Sequence, residues 1–265
     1  MSGVSLAPIV SVEELRRAYR ATVAGQFRSH QRQPAAPAGS TVEWTPAPDE
    51  QIVLVVGAMG GAGASTVALA LGGCAGDSRV VECCTVASSG LAGASAAEMG
   101  VMPDGWVQGT RGEVLIERRR DRVPSLEAMP VPSPSTRPFI VLDVSVDVDV
   151  LVASPGWLGQ LAGTLPGVVV VSRPTVPGLR RLEAATGLLG PDRVHAVLTG
   201  APKRWPRQLE QHLGPNGRRL RAEGSLIDLP HDPRLAVAGI TTDPLPAALL
   251  AAVAPLLASL RGTSR

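Results

Sequence analysis

Residues 58–66 read AMGGAGAST and follow directly on the apolar run IVLVV at 52–56. A glycine-rich turn between an apolar strand and the start of a helix lets backbone N–H groups, together with the helix N-terminus, surround phosphate oxygens. Gly60, Gly61 and Gly63 supply the turn, Ala62 lies within it, and Ser65 and Thr66 supply hydroxyls. A complete loop of this kind also carries a lysine that neutralises the terminal phosphates, and a Ser or Thr that helps hold Mg²⁺. Ala64 stands at the lysine position, and Lys203 is the single lysine of the chain. The stretch is a nucleotide site, the remains of one, or a turn kept for strand–helix packing.

Outward from the loop, strands and helices alternate. Strands are predicted at 52–56, 79–83 (RVVEC), 113–117 (EVLIE), 139–144 (FIVLDV), 167–172 (GVVVVS), 194–198 (VHAVL) and 224–229 (GSLIDL). Several are apolar at consecutive positions, as parallel strands covered on both faces are. Helices are predicted near 64–74, 156–164, 176–189, 204–213, 232–239 and 246–260. The alternation predicts a doubly wound α/β fold, a mostly parallel sheet flanked by helices, with ligands at the carboxyl ends of the strands. The proline-rich zone at 100–137, with VPSLEAMPVPSPSTRP, is predicted to be a surface loop.

The first 50 residues form a different region, and 51–265 the α/β domain. Ser11 to Glu14 is a capping box opening a short helix over 11–25, with Val12, Leu15, Tyr19 and Val23 near one face. A Pro-, Gln- and Ser-rich linker follows to residue 50. Leu15 and Tyr19 are candidates for binding a partner; an arm folded back on its own domain is the plainer alternative.

With 45% hydrophobic and only 3% aromatic residues, the core must be built from Val, Leu, Ala and Ile. A net charge of +2 gives no bulk attraction to nucleic acid or membrane. The arginine bias fits a high-GC genome, and it means that no chemistry before residue 203 can use a lysine. Cys74, Cys83 and Cys84 have neither a disulfide nor a zinc spacing, so reduced core cysteines are expected. Residues 1–25 lack a continuous apolar stretch, and no window reaches a membrane span, so a soluble cytoplasmic protein is expected.

The run 117–122 (ERRRDR) is the densest basic cluster; with two acids and no aromatic neighbour in sequence, it is predicted to be a solvated strand end with internal ion pairs. KRWPRQ (203–208) and GRRLR (217–221) flank a helix and place Trp205 among cations. Asp147 and Asp149 are expected to cap the next segment rather than bind a metal. The Ala/Leu tail at 246–260 lacks the basic face of a membrane-surface helix and is predicted to pack on the sheet, leaving membrane association at most peripheral. The four histidines show no catalytic or metal spacing.

In this setting the chain resembles the ParA/MinD group of P-loop ATPases, whose deviant Walker-A loop reads K-G-G-x-G-K-[ST]-[ST] and falls on residues 59–66. RVVECCTVASSGLAGAS (79–95) looks like the family's second strand and switch segment, V-[DE]-x-D-P-x-G-x-L. RPFIVLDVS (137–145) looks like its Walker B strand, VVVVSRPTVPGLRRLEAA (168–185) like the later strand and helix, and LIDLPHDPRLAVAGITTDPL (226–245) like the closing I-P-x-D-P-x-[VL]-x-x-A segment. The resemblance implies ATP or ADP on residues 60–66, Mg²⁺ on Ser65 and Asp143, and a homodimer or protein partner.

The departures fall on the chemistry. The family's signature lysine is Met59 here, the Walker lysine is Ala64, and the water-positioning acid is Cys84. Glu82 fills the first acidic position of the switch, and Thr199 falls near the adenine-contacting asparagine. Each missing positioned charge typically costs several kcal/mol of transition-state stabilisation, so hydrolysis is expected to be absent or very slow. Arg173 is the rescue cation best placed in sequence. Atypical members of the TadZ/CpaE pilus-assembly type are the nearest analogy. The resemblance therefore implies a localisation or assembly factor for a secretion, conjugation or pilus apparatus, holding ATP or ADP or no cofactor at all. An active partitioning or division-site ATPase is the alternative, and a DNA-binding accessory the second.

Overall fold

The computed structural model describes residues 44–84, 88–121 and 123–263. The predicted helix at 11–25, with Leu15 and Tyr19, lies outside the described residues. A nine-stranded sheet runs in the order β3-β4-β5-β2-β6-β1-β7-β8-β9. Its parallel part comprises β1 (Gln51–Gly57), β2 (Ser78–Cys83), β5 (Val114–Arg119), β6 (Phe139–Val144), β7 (Val168–Ser172), β8 (Val194–Ala201) and β9 (Leu226–Pro230). The doubly wound α/β architecture is as the sequence predicts.

Alternation sorts the strand residues onto two cores. Val53, Val55, Val80, Val141, Val169, Val171 and Val197 face α1 (Ala64–Ala75) and α8 (Ala247–Thr263), which pack on each other. Leu54, Val56, Val81, Ile140, Leu142, Val170 and Leu198 face the opposite layer. That layer contains α2 (Val148–Ala153), α3 (Trp157–Thr164) and α4 (Val176–Leu189). The Ala/Leu tail is thus a core helix: Val253, Leu256 and Leu260 are buried. Among the described residues no helix is long and apolar enough to cross a membrane.

Four elements were not legible in advance. β3 (Ala97–Val101) and β4 (Trp106–Arg111) form an antiparallel ribbon on the edge of the sheet, overlapping the predicted surface loop. Their runs AEMGV and WVQGTR contain glycine and charge and give little β signal; pairing on β5 supplies what propensity does not. α2 follows at once on β6, a helix not predicted there; Asp147 stands at its N-cap position, as a capping residue would, but its side chain makes no cap hydrogen bond, and Asp149 lies in the first turn. The predicted helix at 204–213 is α5 (Arg207–His212), and the GRRLR stretch is a separate helix, α6 (Pro215–Ala222), with proline in its first turn. α7 (Pro233–Ala238) begins where Asp232 accepts from the N–H groups of Arg234 and Leu235.

The proline-rich stretch is irregular, as expected, but only partly superficial. Val123, Leu126 and Met129 are buried in the second core, and the Met129 and Val131 carbonyls accept the indole N–H groups of Trp157 and Trp106. Trp44, in the predicted linker, stacks edge-on against Trp157 with ring centroids 5.2 Å apart.

The basic run also departs from expectation. Glu117 is fully buried and bound by the equally buried Arg79, whose Nε donates across 2.7 Å, and by Gln108 at 2.6 Å. Arg119 pairs with Asp121 inside the run, whereas Arg118 pairs outside it with Glu98 on β3. Arg119 also lies over the ring of Trp106, an aromatic neighbour that only the ribbon brings to it. Cys83 and Cys84 are buried, Cys74 is half-buried, and all three are free thiols.

Candidate functional site

A cleft of about 670 Å³ opens at the carboxyl ends of β1, β7 and β8, where the chain order around the central strand reverses. Residues 59–66 form one wall. Gly61 and Gly63 have φ of 68° and 90°, and the Gly63 conformation carries the chain from the turn into α1. Among the described residues, no acceptor meets the N–H groups of Gly60, Gly61, Gly63, Ala64, Ser65 or Thr66; the Ala62 N–H instead closes the turn on the Met59 carbonyl at 3.2 Å. That leaves a row of donors at the head of a twelve-residue helix, an oxyanion cradle.

Two side chains brace the cradle from behind. The Thr199 hydroxyl donates to the Ala62 carbonyl at 2.5 Å, so this residue, expected near a base, works on the loop instead. Arg173, just beyond β7, donates from Nε to the Gly61 carbonyl at 3.2 Å. It is the sole lysine or arginine among the described residues lining the cleft. This guanidinium is contributed by the end of β7 and not by α1, the helix that follows the loop. Ala64 and Met59 instead pack partly against the α1-side core, Met59 among residues that include Leu235 and Ile240.

Asp143 lies beneath the loop, fully buried on β6. Burial pushes its pKa up to about 7; the nearby Ser65 hydroxyl opposes this, and the Glu82 charge adds to it. Neither Asp143 oxygen meets hydrogen-bond geometry with any donor among the described residues. An orphaned buried carboxyl beside a hydroxyl matches the donor set of a hydrated Mg²⁺. The residues present therefore fit a phosphate–Mg²⁺ group at the cradle and the Ser65–Asp143 pair, but they lack both lysines that would balance a triphosphate.

Glu82 does not line the cleft. Its carboxylate turns toward the segment after β2, accepting from Ser89 Oγ at 2.7 Å, Gly90 N at 2.7 Å and Leu91 N at 2.8 Å. Cys84, at the lost acid position, is buried; desolvation and the charges of Glu82 and Asp143 push its thiol pKa far up, which leaves it an inert thiol.

The far wall of the cleft is apolar. Leu229, Pro230, Leu235, Ala236, Ile240 and Leu249 line it, with His231 at the rim. Sequence reasoning gave these positions no site role; the Asp232-Pro233 helix start was the available signal, and only the fold aims that start at the cleft.

No protein-family model and no curated protein sequence matches the chain. Solved structures do. A plasmid partition protein from Borrelia burgdorferi B31 bound to AMPPNP matches with a TM-score of 0.55 at 11% identity, over 82% of this chain and 100% of that one. The fold is that of the ParA/MinD ATPases. A ParA family ATPase from Chlorobium tepidum TLS matches with a TM-score of 0.51 at 13% identity, over 79% of this chain and 98% of that one. The MinD cell division protein of Aquifex aeolicus gives 0.50 at 13% identity, over 80% and 97%. In the ParA/MinD-like fold of this chain, the cradle and the 229–240 rim, far apart in sequence, line one cleft, with buried Asp143 near Ser65 of the cradle.

Proposed function

We propose that this chain is a nucleotide-binding, catalytically silent relative of the ParA/MinD ATPases that acts in the cytoplasm as a localisation or assembly factor, for an apparatus of the secretion, conjugation or pilus kind. The observation that carries this reading is the division of labour at the cleft. The N–H cradle, Ser65 and Asp143 are kept, while Met59 and Ala64 replace both lysines and Cys84 replaces the water-positioning acid. The cradle and the helix dipole suffice to bind a di- or triphosphate weakly with Mg²⁺, and the apolar wall suits a base. A matching structure holds AMPPNP, which supports a nucleotide as the ligand class. Its output is a protein partner or a second copy of the chain, with Leu15 and Tyr19 as partner-binding residues and DNA as a lesser alternative.

Calorimetric titration of ATP and ADP with Mg²⁺ into the purified chain tests this. Micromolar to submillimolar binding, weakened in Ser65→Ala and without turnover, is expected. No heat at millimolar nucleotide refutes it.

One observation favours a second reading, a slow but true ATPase: Arg173 already reaches the loop at the Gly61 carbonyl. Turnover above background that both Asp143→Ala and Arg173→Ala abolish would establish that reading instead.

A further inference from the structure

The segment after β2 does more than border the cleft. Gly90 lies so close to Ser65 that a Cβ built on it would sit 2.3 Å from Ser65 Oγ and 2.6 Å from Ser65 Cβ. Only a residue with no side chain fits there: Ser65 and Gly90 both line the cleft, and the Gly90 backbone lies against the Ser65 hydroxyl, which Asp143 also neighbours. Glu82 holds the segment in this place through Ser89 Oγ, Gly90 N and Leu91 N. All three bonds are made by a carboxylate on a strand of the central sheet that is itself buried, a rigid base with charge-assisted bonds. Leu91 is buried in the α1-side core and anchors the far end.

We infer that Glu82 is a latch: it holds residues 88–91 down on Ser65, and a ligand reaches that hydroxyl only when the latch releases. Glu82 is then a positioning residue, acting on the site through Gly90 and not on the ligand. This rests on the reading of the cleft as a nucleotide site, because Ser65 is the hydroxyl that a phosphate-bound metal would need. The latch itself is a property of the free chain. By population arithmetic, apparent affinity falls by the fraction of molecules with the segment raised, so releasing the latch tightens binding.

Hydrogen exchange of the full chain, without ligand, reads the latch directly. Glu82→Ala should speed exchange of the Gly90 and Leu91 amides by about 10- to 100-fold, and Glu82→Gln, which keeps an acceptor at the Oε1 position, should recover much of the protection. Gly90→Ala leaves Glu82 intact but drives the segment off Ser65; it should speed the same amides, and Ser65→Gly in the same chain should reverse the effect. Unchanged exchange at residues 88–91 in both Glu82→Ala and Gly90→Ala overturns the latch. Calorimetry with Mg²⁺ and ADP is the separate arm, where Glu82→Ala should bind at least about tenfold more tightly than the parent. Faster exchange with no nucleotide bound by any variant supports the latch while removing the nucleotide reading of the cleft. Faster exchange with weaker binding overturns the latch as a gate.

Discussion

Glu82 and Asp143 are register partners on the adjacent parallel strands β2 and β6, two fully buried carboxyls side by side, one accepting three hydrogen bonds and the other none among the described residues. The pair shows how the fold distributes charge at the cleft. Asp143 meets desolvation and the like charge of Glu82 together, and both raise its pKa.

Stability should therefore fall with rising pH in a defined window. The Asp143 pKa is raised from 3.8 unfolded to about 7 folded. A raised folded pKa means that the native state holds the proton more tightly, so the contribution is complete below the unfolded value and is lost as pH climbs through the folded one. The loss should run from about pH 4 to pH 7 and amount to roughly 4 kcal/mol, at about 1.36 kcal/mol per unit. Urea unfolding across that range checks it. Asp143→Asn should flatten the slope and stabilise the chain at pH 8.

The ion pair between Arg79 and Glu117 should behave as a buried pair does. Arg79→Met alone strands the Glu117 charge inside the sheet and should cost about 3–5 kcal/mol. Arg79→Met with Glu117→Leu should recover most of that loss. Denaturant midpoints of the two single variants and the double variant decide it through their coupling.

Restoring a positive charge to the loop should strengthen anion binding. Ala64→Lys places an ammonium at the head of α1, and one favourable phosphate contact should tighten ADP by about tenfold, or 1.4 kcal/mol. Calorimetry reads the affinity directly. Ala64→Lys with Met59→Lys is the variant in which turnover should first rise above background.

The brace behind the cradle should be separable from its charge. Thr199→Val keeps the shape and removes the donor to the Ala62 carbonyl, which should cost about 1–3 kcal/mol of stability. Gly63→Ala should cost more than the same change at an open helix position, because φ is 90° and the new Cβ would lie 3.2 Å from Thr199 Cγ2. Thermal midpoints of both variants, with phosphate affinity measured alongside, provide the check.

Trp44 should contribute to stability through its contact with Trp157. Trp44→Ala removes the edge-on contact with Trp157 and should lower stability by roughly 1–2 kcal/mol, since the ring is only partly buried. Fluorescence-monitored unfolding should show the loss with Trp157 still reporting.

The central strands were legible because β1, β2, β6 and β7 are buried on both faces, which leaves near-continuous valine runs, and the loop was legible because glycine spacing is a local chemical pattern. The ribbon at 97–111 was not, since its stability comes from pairing on β5 and from Trp106 packing under residues 123–131, contacts that no short window contains. The same holds at the site. Ser65 and Asp143 were readable by type and spacing, whereas the brace by Thr199 and the bond from Arg173 to Gly61 join positions more than a hundred residues apart.

The sequence alone determined the doubly wound sheet, the glycine-rich loop and the absence of lysine from it, because periodicity, glycine placement and residue identity are one-dimensional. Only the tertiary structure decided that Glu82 serves the segment after β2 rather than the cleft, that Asp143 meets no donor in hydrogen-bond geometry among the described residues, and that Gly90 rests on Ser65. Those outcomes depend on which strands lie side by side and how closely a loop returns to them, and long-range packing sets both.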